Sequence, residues 1–308
     1  MKTQGAEFKR KLGTEGTPLK RMTAVLREMM AQPGIIVACG TYGPLPSKIL
    51  ERVGFKVVNL GGYDLGAHLV TSEPLMSLEE VVRAARYITA AVNIPLKVDA
   101  GAGFGEPLHV MRTVREFENA GVAAIQIEDQ IYPKRAHYHK GIEHIIPVED
   151  MIAKLKAAQM ARRDPDLVIS ARTDAMRTHS FAEGVKRANL YLQAGADIVH
   201  VFPNNVEEAR QAPKEIAGPV STLNSVGNLL NRPLFTNREI EEMGYKFVNH
   251  GIWATLVAAK AVKEMAEKIY ALEQPVMDAE EMRAMRRYVE DTIGLDKMYQ
   301  MERDTVEK

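Results

Sequence analysis

Residues Gly121–Gly141 read GVAAIQIEDQIYPKRAHYHKG, and the character of this stretch changes halfway along its length. It begins as a short apolar run of strand type, which ends on the carboxylate pair Glu128 and Asp129. A loop rich in Lys, Arg, Tyr and His follows. Active sites of parallel α/β proteins lie where buried strands end, so the stretch predicts reactive ionisable groups at a strand exit.

Similar short apolar runs recur along the chain, each separated from the next by enough residues for a crossover helix. The predicted strands are Ile35–Cys39, Val57–Leu60, Leu96–Asp99, Ala123–Glu128, Leu167–Arg172, Asp197–Val201, Val220–Leu223 and Phe247–His250. Parallel strands need such crossovers, so this spacing favours parallel pairing of all eight.

Glycine closes the helical stretch before several of these strands, as in ERVGFKVVNL and LQAGADIVHV. It is the common residue in the left-handed position where a helix ends. The repeated order of helix, glycine and strand predicts an α/β fold, a closed (β/α)8 barrel of the TIM type. A doubly wound open sheet is the alternative, but eight strands exceed its usual number and no GxGxxG follows the first strand.

We expect one barrel domain over residues 1–308, because the repeated units fill about residues 34–270. Apolar residues at helical spacing predict a lead-in helix at about 17–32. A charged, methionine-rich segment at about 276–308 predicts a C-terminal helical arm. This arm either lies on its own barrel or packs on another subunit, and the sequence leaves both arrangements open.

Composition restricts the class of partner. The 40 basic and 40 acidic residues balance, so nothing favours nucleic acid or an anionic membrane as a partner. One cysteine excludes an internal disulfide framework and a cysteine-rich zinc site, and it fits a reducing compartment. We expect no signal peptide and no membrane span, and therefore a cytoplasmic protein.

Acidic and basic side chains stand at several predicted strand ends. Asp99 and Glu128 end neighbouring strands, so we expect their carboxylates to share a Mg²⁺ ion, with Mn²⁺ as the alternative metal. The competing interpretation is that each acid caps a helix or pairs with a basic residue. Arg172 suits a bidentate clamp on a substrate carboxylate or phosphonate, and equally a structural salt bridge with Asp174, Glu128 or Asp99.

Other strand ends offer groups of less specific meaning. Gly61 and Gly62 follow strand two, where backbone amides can receive a carboxylate, and Asn224 follows strand seven. His137 and His139 lack the HExxH spacing of a zinc helix, so we expect them in a mobile lid over the site. Together these strand ends indicate a small, oxygen-rich, anionic substrate.

Four motifs resemble the isocitrate lyase and phosphoenolpyruvate mutase superfamily: VDAGAGFG at Val98–Gly105, IEDQ at Ile127–Gln130, PKR at Pro133–Arg135 and ARTDA at Ala171–Ala175. The similarity covers nearly the whole chain. In overall layout it is greatest for the short-chain members, which are methylisocitrate lyase, dimethylmalate lyase, oxaloacetate decarboxylase or hydrolase, and the carboxyphosphonoenolpyruvate and phosphonopyruvate enzymes. The resemblance implies a barrel, Mg²⁺ chelated by a 2-oxo or 2-hydroxy carboxylate, and a homotetramer with exchanged C-terminal helices.

The resemblance also implies roles for individual residues. It assigns metal binding to Asp99 and Glu128 and substrate binding to Arg172. It further implies that backbone amides of Gly61, Gly62 and Tyr63 bind a substrate carboxylate.

The chain departs from the family in the lid and in the metal motif. The family's lyases carry a lid cysteine that protonates the released carbanion, in the motif Lys-Lys/Arg-Cys-Gly-His. This chain has Ala136 in its place, and alanine cannot donate a proton. The second aspartate of the usual DxD metal motif is Gly101 here, and the tyrosine and serine of the usual Tyr-x-Ser-Gly exit are Asn59 and Gly61.

We therefore expect a Mg²⁺-dependent lyase that cleaves a C–C bond of a small 2-hydroxy or 2-oxo di- or tricarboxylic acid, through an enolate or carbanion. The expected substrates resemble malate, methylisocitrate or oxaloacetate. One alternative is P–C bond chemistry on a phosphonate, and another is a homologue that binds an oxo acid without turnover. The residues that could move the proton are Tyr42, Tyr63, His137, Tyr138 and His139.

Overall fold

Eight parallel strands close into a barrel in sequence order in the computed structural model, which describes residues 21–227, 232–271 and 278–307. The strands are β1 Ile36–Thr41, β2 Val57–Leu60, β3 Leu96–Asp99, β4 Ala124–Glu128, β5 Val168–Arg172, β6 Ile198–Val201, β7 Val220–Leu223 and β8 Phe247–His250. Strand β8 pairs back onto β1. The predicted (β/α)8 barrel is confirmed.

Helices connect the strands on the outside of the barrel. Those that the structure describes are α1 Met22–Ala31, α2 Pro44–Val53, α3 Gly62–His68, α4 Leu78–Ala91, α5 Pro107–Asn119, α6 Val148–Ala161, α7 Ala175–Thr178, α8 Phe181–Gln193, α9 Val206–Glu215, α10 Asn237–Glu242, α11 Trp253–Ala271, α12 Ala279–Ile293 and α13 Leu295–Thr305. Two short 3-10 turns, Glu73–Leu75 and Ala136–Lys140, lie in the loops after β2 and β4.

The glycines that the sequence places between helix and strand adopt left-handed backbone conformations. Their φ angles are +118° at Gly54, +76° at Gly121, +103° at Gly195 and +100° at Gly244. A side chain is strained at such φ values, so glycine ends each helix and turns the chain into the following strand. These caps set where β2, β4, β6 and β8 begin.

The lower end of the barrel is apolar and closed by α1. Leu26 packs there against inward residues of the strands, and Met22, Met29 and Met30 pack around it. The inward residues are Ile36, Ala38, Val57, Ala124, Val168, Ile198 and Phe247. Arg27 fixes the helix by an ion pair of 2.8 Å with Asp197. Part of the predicted lead-in helix, residues 17–20, lies outside the described residues.

Successive layers of the barrel interior differ in polarity. Strand side chains alternate between the barrel interior and the helix layer. Two residues above the apolar layer the inward positions are polar: Asn59, Lys97, Gln126, Ser170, His200, Ser221 and Asn249. Two residues further up, at the carboxyl ends of the strands, stand Asp99, Glu128 and Arg172.

The C-terminal helices expose many apolar side chains. Helix α11 has no buried residue, and Tyr270 on it is 95% exposed. Met285, Met298 and Tyr299 are also exposed on α12 and α13. Exchange of this arm between subunits stays a prediction. No helix in the described part of the chain has the length and apolar character needed to cross a membrane.

Candidate active site

Three carboxylates meet at the upper end of the barrel. Glu73, Asp99 and Glu128 each place an oxygen within 4.8 Å of the others. Asp99 and Glu128 come from the ends of β3 and β4, as the sequence predicts, and Glu73 comes from the 3-10 turn after β2. Glu73 was not among the residues predicted from the sequence, because it lies in a loop and not at a strand end.

Glycines make room for Glu73 at this position. A Cβ at Gly62 would lie 2.3 Å from the Glu73 carboxyl carbon, so the side chain fits only against glycine. A Cβ at Gly101 would lie 3.6 Å from Glu73 Oε1 and 4.0 Å from Glu128 Oε1. The Glu73 carboxylate therefore lies close to where a side chain at position 101 would point. The absence of a carboxylate at Gly101 is the sequence feature that could have directed attention to an acid elsewhere in the chain.

Two cations neutralise the carboxylates. Lys134 Nζ lies 2.7 Å from Glu73 Oε1 and 2.9 Å from Glu128 Oε1. Arg172 Nη1 lies 3.1 Å from Glu128 Oε2 and 3.3 Å from Asp99 Oδ2, and its Nη2 lies 3.2 Å from Asp174. Arg172 therefore forms the structural salt bridges that the sequence suggested as an alternative to substrate binding. Its partners are the three expected acids, Asp99, Glu128 and Asp174. A buried guanidinium fixed by three carboxylates is held rigidly toward the cavity.

Charge and burial shift the pKa values of these groups in different directions. Burial, together with the nearby charges of Glu73 and Asp99, raises the pKa of Glu128 to about 7. The positive charges of Arg172 and Lys134 oppose this increase. Burial also acts to raise the pKa of Glu73, but Lys134, Arg172 and Tyr138 together lower it, and the net direction is downward. Burial opposes the charge on Lys134, yet Glu128 and Glu73 raise its pKa.

The carboxylate cluster fits a hard divalent cation. Oxygens bound to one octahedral Mg²⁺ lie about 3.0 to 4.2 Å apart. The three carboxylate oxygens are within 4.8 Å of one another, so Glu73, Asp99 and Glu128 are the residues that would hold one such ion. Mg²⁺ and Mn²⁺ both prefer such oxygen ligands.

Asp129, the second acid of the carboxylate pair, faces away from the cavity. It is fully buried and accepts hydrogen bonds from Thr173 Oγ1 at 2.7 Å and from Tyr191 Oη at 2.9 Å. Arg187 Nη1 lies 3.2 Å from the same carboxylate. Asp129 therefore ties the end of β4 to β5 and α8, while Glu128 beside it points to Lys134 and Arg172.

The lid after β4 brings two aromatic residues to the cavity. Tyr138 and His139 stack with ring centroids 4.1 Å apart, and His139 Nε2 lies 2.9 Å from Ser72 Oγ. Lys134 Nζ lies 4.0 Å from the Tyr138 ring centroid. The Tyr138 hydroxyl is buried without a hydrogen bond of good geometry. Burial and the Glu73 charge raise the pKa of Tyr138, so this phenol keeps its proton at neutral pH.

The remaining predicted site residues divide into two groups. Gly61, Gly62 and Tyr63 line the cavity. Tyr42 stacks on His68 at 5.3 Å and His137 is exposed, and neither lines the cavity. Asn224 lines a separate small pocket, where its Nδ2 donates to Phe235 O at 2.7 Å and so holds the loop after β7.

The cavity enclosed by these groups has a volume of about 570 Å³ and continues down to the polar layer of the barrel. Its floor includes Asn59, Lys97, Gln126, His200 and Asn249. Burial lowers the pKa of Lys97 to about 8. Burial likewise lowers the pKa of His200, whose Nδ1 lies 2.8 Å from Ser221 Oγ.

Asp64 on the cavity wall gives a pH-dependent stability prediction. Burial raises its pKa to about 6, against hydrogen bonds from Thr255 and the Ile252 amide. The folded state binds this proton more tightly than the unfolded state does. Stability contributed by the protonated acid is therefore lost as the pH rises from about 4 to about 6.

We expect Asp64→Asn to stabilise the protein at pH 8, by up to about 3 kcal/mol, because the amide carries no charge. Asparagine can accept from the Ile252 amide and donate to the Thr255 hydroxyl, which rotates to accept. Thermal unfolding of both proteins from pH 4.5 to pH 8 measures this. The increase in stability should be small at pH 4.5 and should grow as the pH rises. An increase that does not depend on pH would contradict the raised pKa of Asp64.

The comparisons with known proteins agree with this geometry. A family described as phosphoenolpyruvate phosphomutase matches residues 26–270. The 2-methylisocitrate lyase of Aeropyrum pernix is 40% identical over 82% of this chain and 81% of its own length. The 2,3-dimethylmalate lyase of Eubacterium barkeri is 37% identical over 91% of this chain and 96% of its own length. A crystal structure of a 2,3-dimethylmalate lyase superposes with a TM-score of 0.85 at 27% identity, covering 94% of this chain and 97% of the other.

Proposed function

This chain belongs to the phosphoenolpyruvate phosphomutase family, within the superfamily that includes isocitrate lyase, and we propose that it is a divalent-metal-dependent lyase for a small organic acid. The bond cleaved is a C–C bond of a 2-hydroxy or 2-oxo di- or tricarboxylic acid. The observation that carries the proposal is the cluster of Glu73, Asp99 and Glu128 beside Arg172 at the carboxyl end of the barrel.

The carboxylate cluster would hold Mg²⁺ or Mn²⁺, and the bound ion would supply Lewis-acid stabilisation of developing negative charge on a substrate oxygen. Glu128 is fully buried, so an ion placed there acts in a medium of low dielectric. Arg172 adds a fixed positive charge on the same side of the cavity. Its guanidinium presents a planar pair of donors that matches a carboxylate.

We assign the proton donor to Tyr138. Of the five residues that the sequence proposes for this role, Tyr63, Tyr138 and His139 line the cavity. Burial lowers the pKa of His139, which favours its neutral imidazole. The Tyr138 hydroxyl lies in the lid beside Glu73 and remains protonated. A neutral phenol in this position can protonate a carbanion or enolate in place of the family's lid cysteine.

The relatives support a diacid or triacid as the substrate. Two of them are named for the cleavage of methylisocitrate and of dimethylmalate. The polar groups of the cavity continue from the carboxylate cluster to the barrel floor, which suits a substrate with polar groups at both ends.

A substrate screen tests the proposed function. The protein is incubated with Mg²⁺ and methylisocitrate, substituted malates, oxaloacetate or phosphonopyruvate, and pyruvate, CO₂ and phosphate are measured. We expect a 2-oxo acid product from at least one C–C substrate and none after chelation of the metal. Phosphate appearing with pyruvate would instead favour P–C chemistry.

Oxalate binding tests the metal site independently of turnover. We expect oxalate to bind only with Mg²⁺, and Asp99→Ala to abolish that binding. Oxalate binding without turnover of any acid would favour the non-catalytic alternative. Unchanged oxalate affinity in Asp99→Ala would remove the metal assignment.

A further inference from the structure

Lys97 is a buried cation on the cavity floor whose role the carboxylate cluster does not explain. It is 3% exposed and lines the same cavity as Asp99 and Arg172. Its Nζ donates to Gln126 Oε1 at 2.5 Å, and the Phe247 ring centroid lies 5.5 Å away. Among the described residues no carboxylate oxygen lies within 4.0 Å of Nζ, so the ammonium has no counter-ion in contact with it.

Burying an ammonium without a counter-ion is strongly unfavourable, and lysine is almost never fully buried unless it is paired. A bound anionic group would supply the missing partner of Lys97. The other lysine that is equally buried, Lys154, lies outside the cavity and donates to Ala102 O at 3.0 Å. Arg177 also lines the cavity, but Asp174 and Glu143 lie 2.6 and 2.9 Å from its Nη2. Of these three cations, only Lys97 faces the cavity without a carboxylate beside it.

Two buried amides share the cavity floor with Lys97. Asn59 lies opposite Lys97 in the pairing of β2 with β3, and it is 3% exposed. Asn249 on β8 is 7% exposed. Within the part of the chain that the structure describes, the Oδ1 atom of each has no hydrogen-bond partner, and both residues line the cavity. A carboxamide can turn either its Nδ2–H donors or its Oδ1 acceptor toward a ligand.

The position of Lys97 relative to the carboxylate cluster sets the size of such a ligand. Lys97 and Asp99 lie two residues apart on β3 and point to the same side, so their Cα atoms are about 6.6 Å apart along the strand. A four- or five-carbon diacid that places its 2-oxo carboxylate at the cluster can extend its other carboxylate down to Lys97.

We propose that Lys97, with Asn59 and Asn249, forms a floor subsite that binds the second carboxylate of a dicarboxylate substrate. This inference rests on the proposed function, because the first carboxylate must bind at the cluster of Glu73, Asp99 and Glu128. In this arrangement the substrate enters the barrel end-on. One carboxylate binds at the carboxylate cluster that would hold the metal, and the other binds at the Lys97 ammonium. Lys97 would then select diacids over monoacids of equal length.

Two matched pairs of acids test the floor subsite by calorimetry on the full chain with Mg²⁺. One pair is 2-oxoglutarate and 2-oxovalerate, and the other is malate and 2-hydroxybutyrate. Each pair differs in the terminal carboxylate alone. We expect the wild type to prefer the diacid by on the order of 10- to 100-fold, and Lys97→Met to lose that preference. Oxalate, which is too short to reach the floor, should bind Lys97→Met within about threefold of the wild type.

Lys154→Met is the matched control, since it also removes a buried ammonium but not one that lines the cavity. It should keep the diacid preference, and thermal unfolding with oxalate binding shows that both variants are folded. A diacid preference that survives in Lys97→Met, or that is lost equally in Lys154→Met, would overturn the inference. Failure of oxalate to bind the wild type would defeat the proposed function, which is a separate result.

Discussion

Glu73→Gln is expected to abolish metal-dependent turnover and to weaken Mn²⁺ binding by at least about 100-fold, because it removes one of three carboxylates that share the ion. A second substitution that restores Mn²⁺ affinity would be stronger evidence for this role of Glu73. Adding Gly101→Asp to Glu73→Gln should recover most of the Mn²⁺ affinity. The new side chain would start 3.6 Å from the position of Glu73 Oε1 and 4.0 Å from Glu128 Oε1.

Aspartate is a suitable residue for this rescue, since the φ angle of +51° at Gly101 is one that Asp tolerates better than most side chains. Titration with Mn²⁺, followed by electron paramagnetic resonance, measures the affinity without relying on turnover. The control is Glu73→Gln with Gly101→Ala. This variant carries the same backbone strain without a new carboxylate, so its Mn²⁺ affinity should remain as low as that of Glu73→Gln alone. If Glu73→Gln alone binds Mn²⁺ like the wild type, Glu73 is not a ligand.

Tyr138→Phe should lower kcat by about 10²- to 10⁴-fold, which is the usual contribution of a positioned general acid. The phenol is buried beside Glu73, and burial with the Glu73 charge keeps it protonated. Phenylalanine preserves the stacking on His139 and the contact with the Lys134 ammonium. The loss should therefore appear in kcat, while oxalate affinity and Mn²⁺ affinity stay within about threefold of the wild type.

Tyr63→Phe is the matched comparison, because Tyr63 lines the same cavity and its ring lies edge-on to His139 at 5.9 Å. Its hydroxyl is not assigned to proton transfer, so kcat should change by less than about fivefold. Equal losses in the two variants would argue against Tyr138 as the specific donor. A Tyr138→Phe enzyme with normal kcat would return the role to His139 or to water.

The sequence alone predicts the barrel and the convergence of Asp99, Glu128 and Arg172. This succeeds because strand and helix patterns are local, and because the carboxyl ends of parallel strands in a closed barrel meet at one rim. The same alternation explains why Glu128 points into the barrel toward Arg172, while Asp129 beside it contacts Thr173, Tyr191 and Arg187 in the helix layer.

The tertiary structure decided which residues complete the site. Glu73 reaches the carboxylates because the loop after β2 folds back across Gly62 and Gly101, which no local pattern encodes. The lid places Tyr138 and His139 over the cavity and leaves His137 exposed. Lys97 reads in the sequence as one charged residue within a strand. The closed barrel makes it a buried cation on the cavity floor, because its side chain points into the barrel interior and donates there to the Gln126 side chain and not to a carboxylate of the described residues.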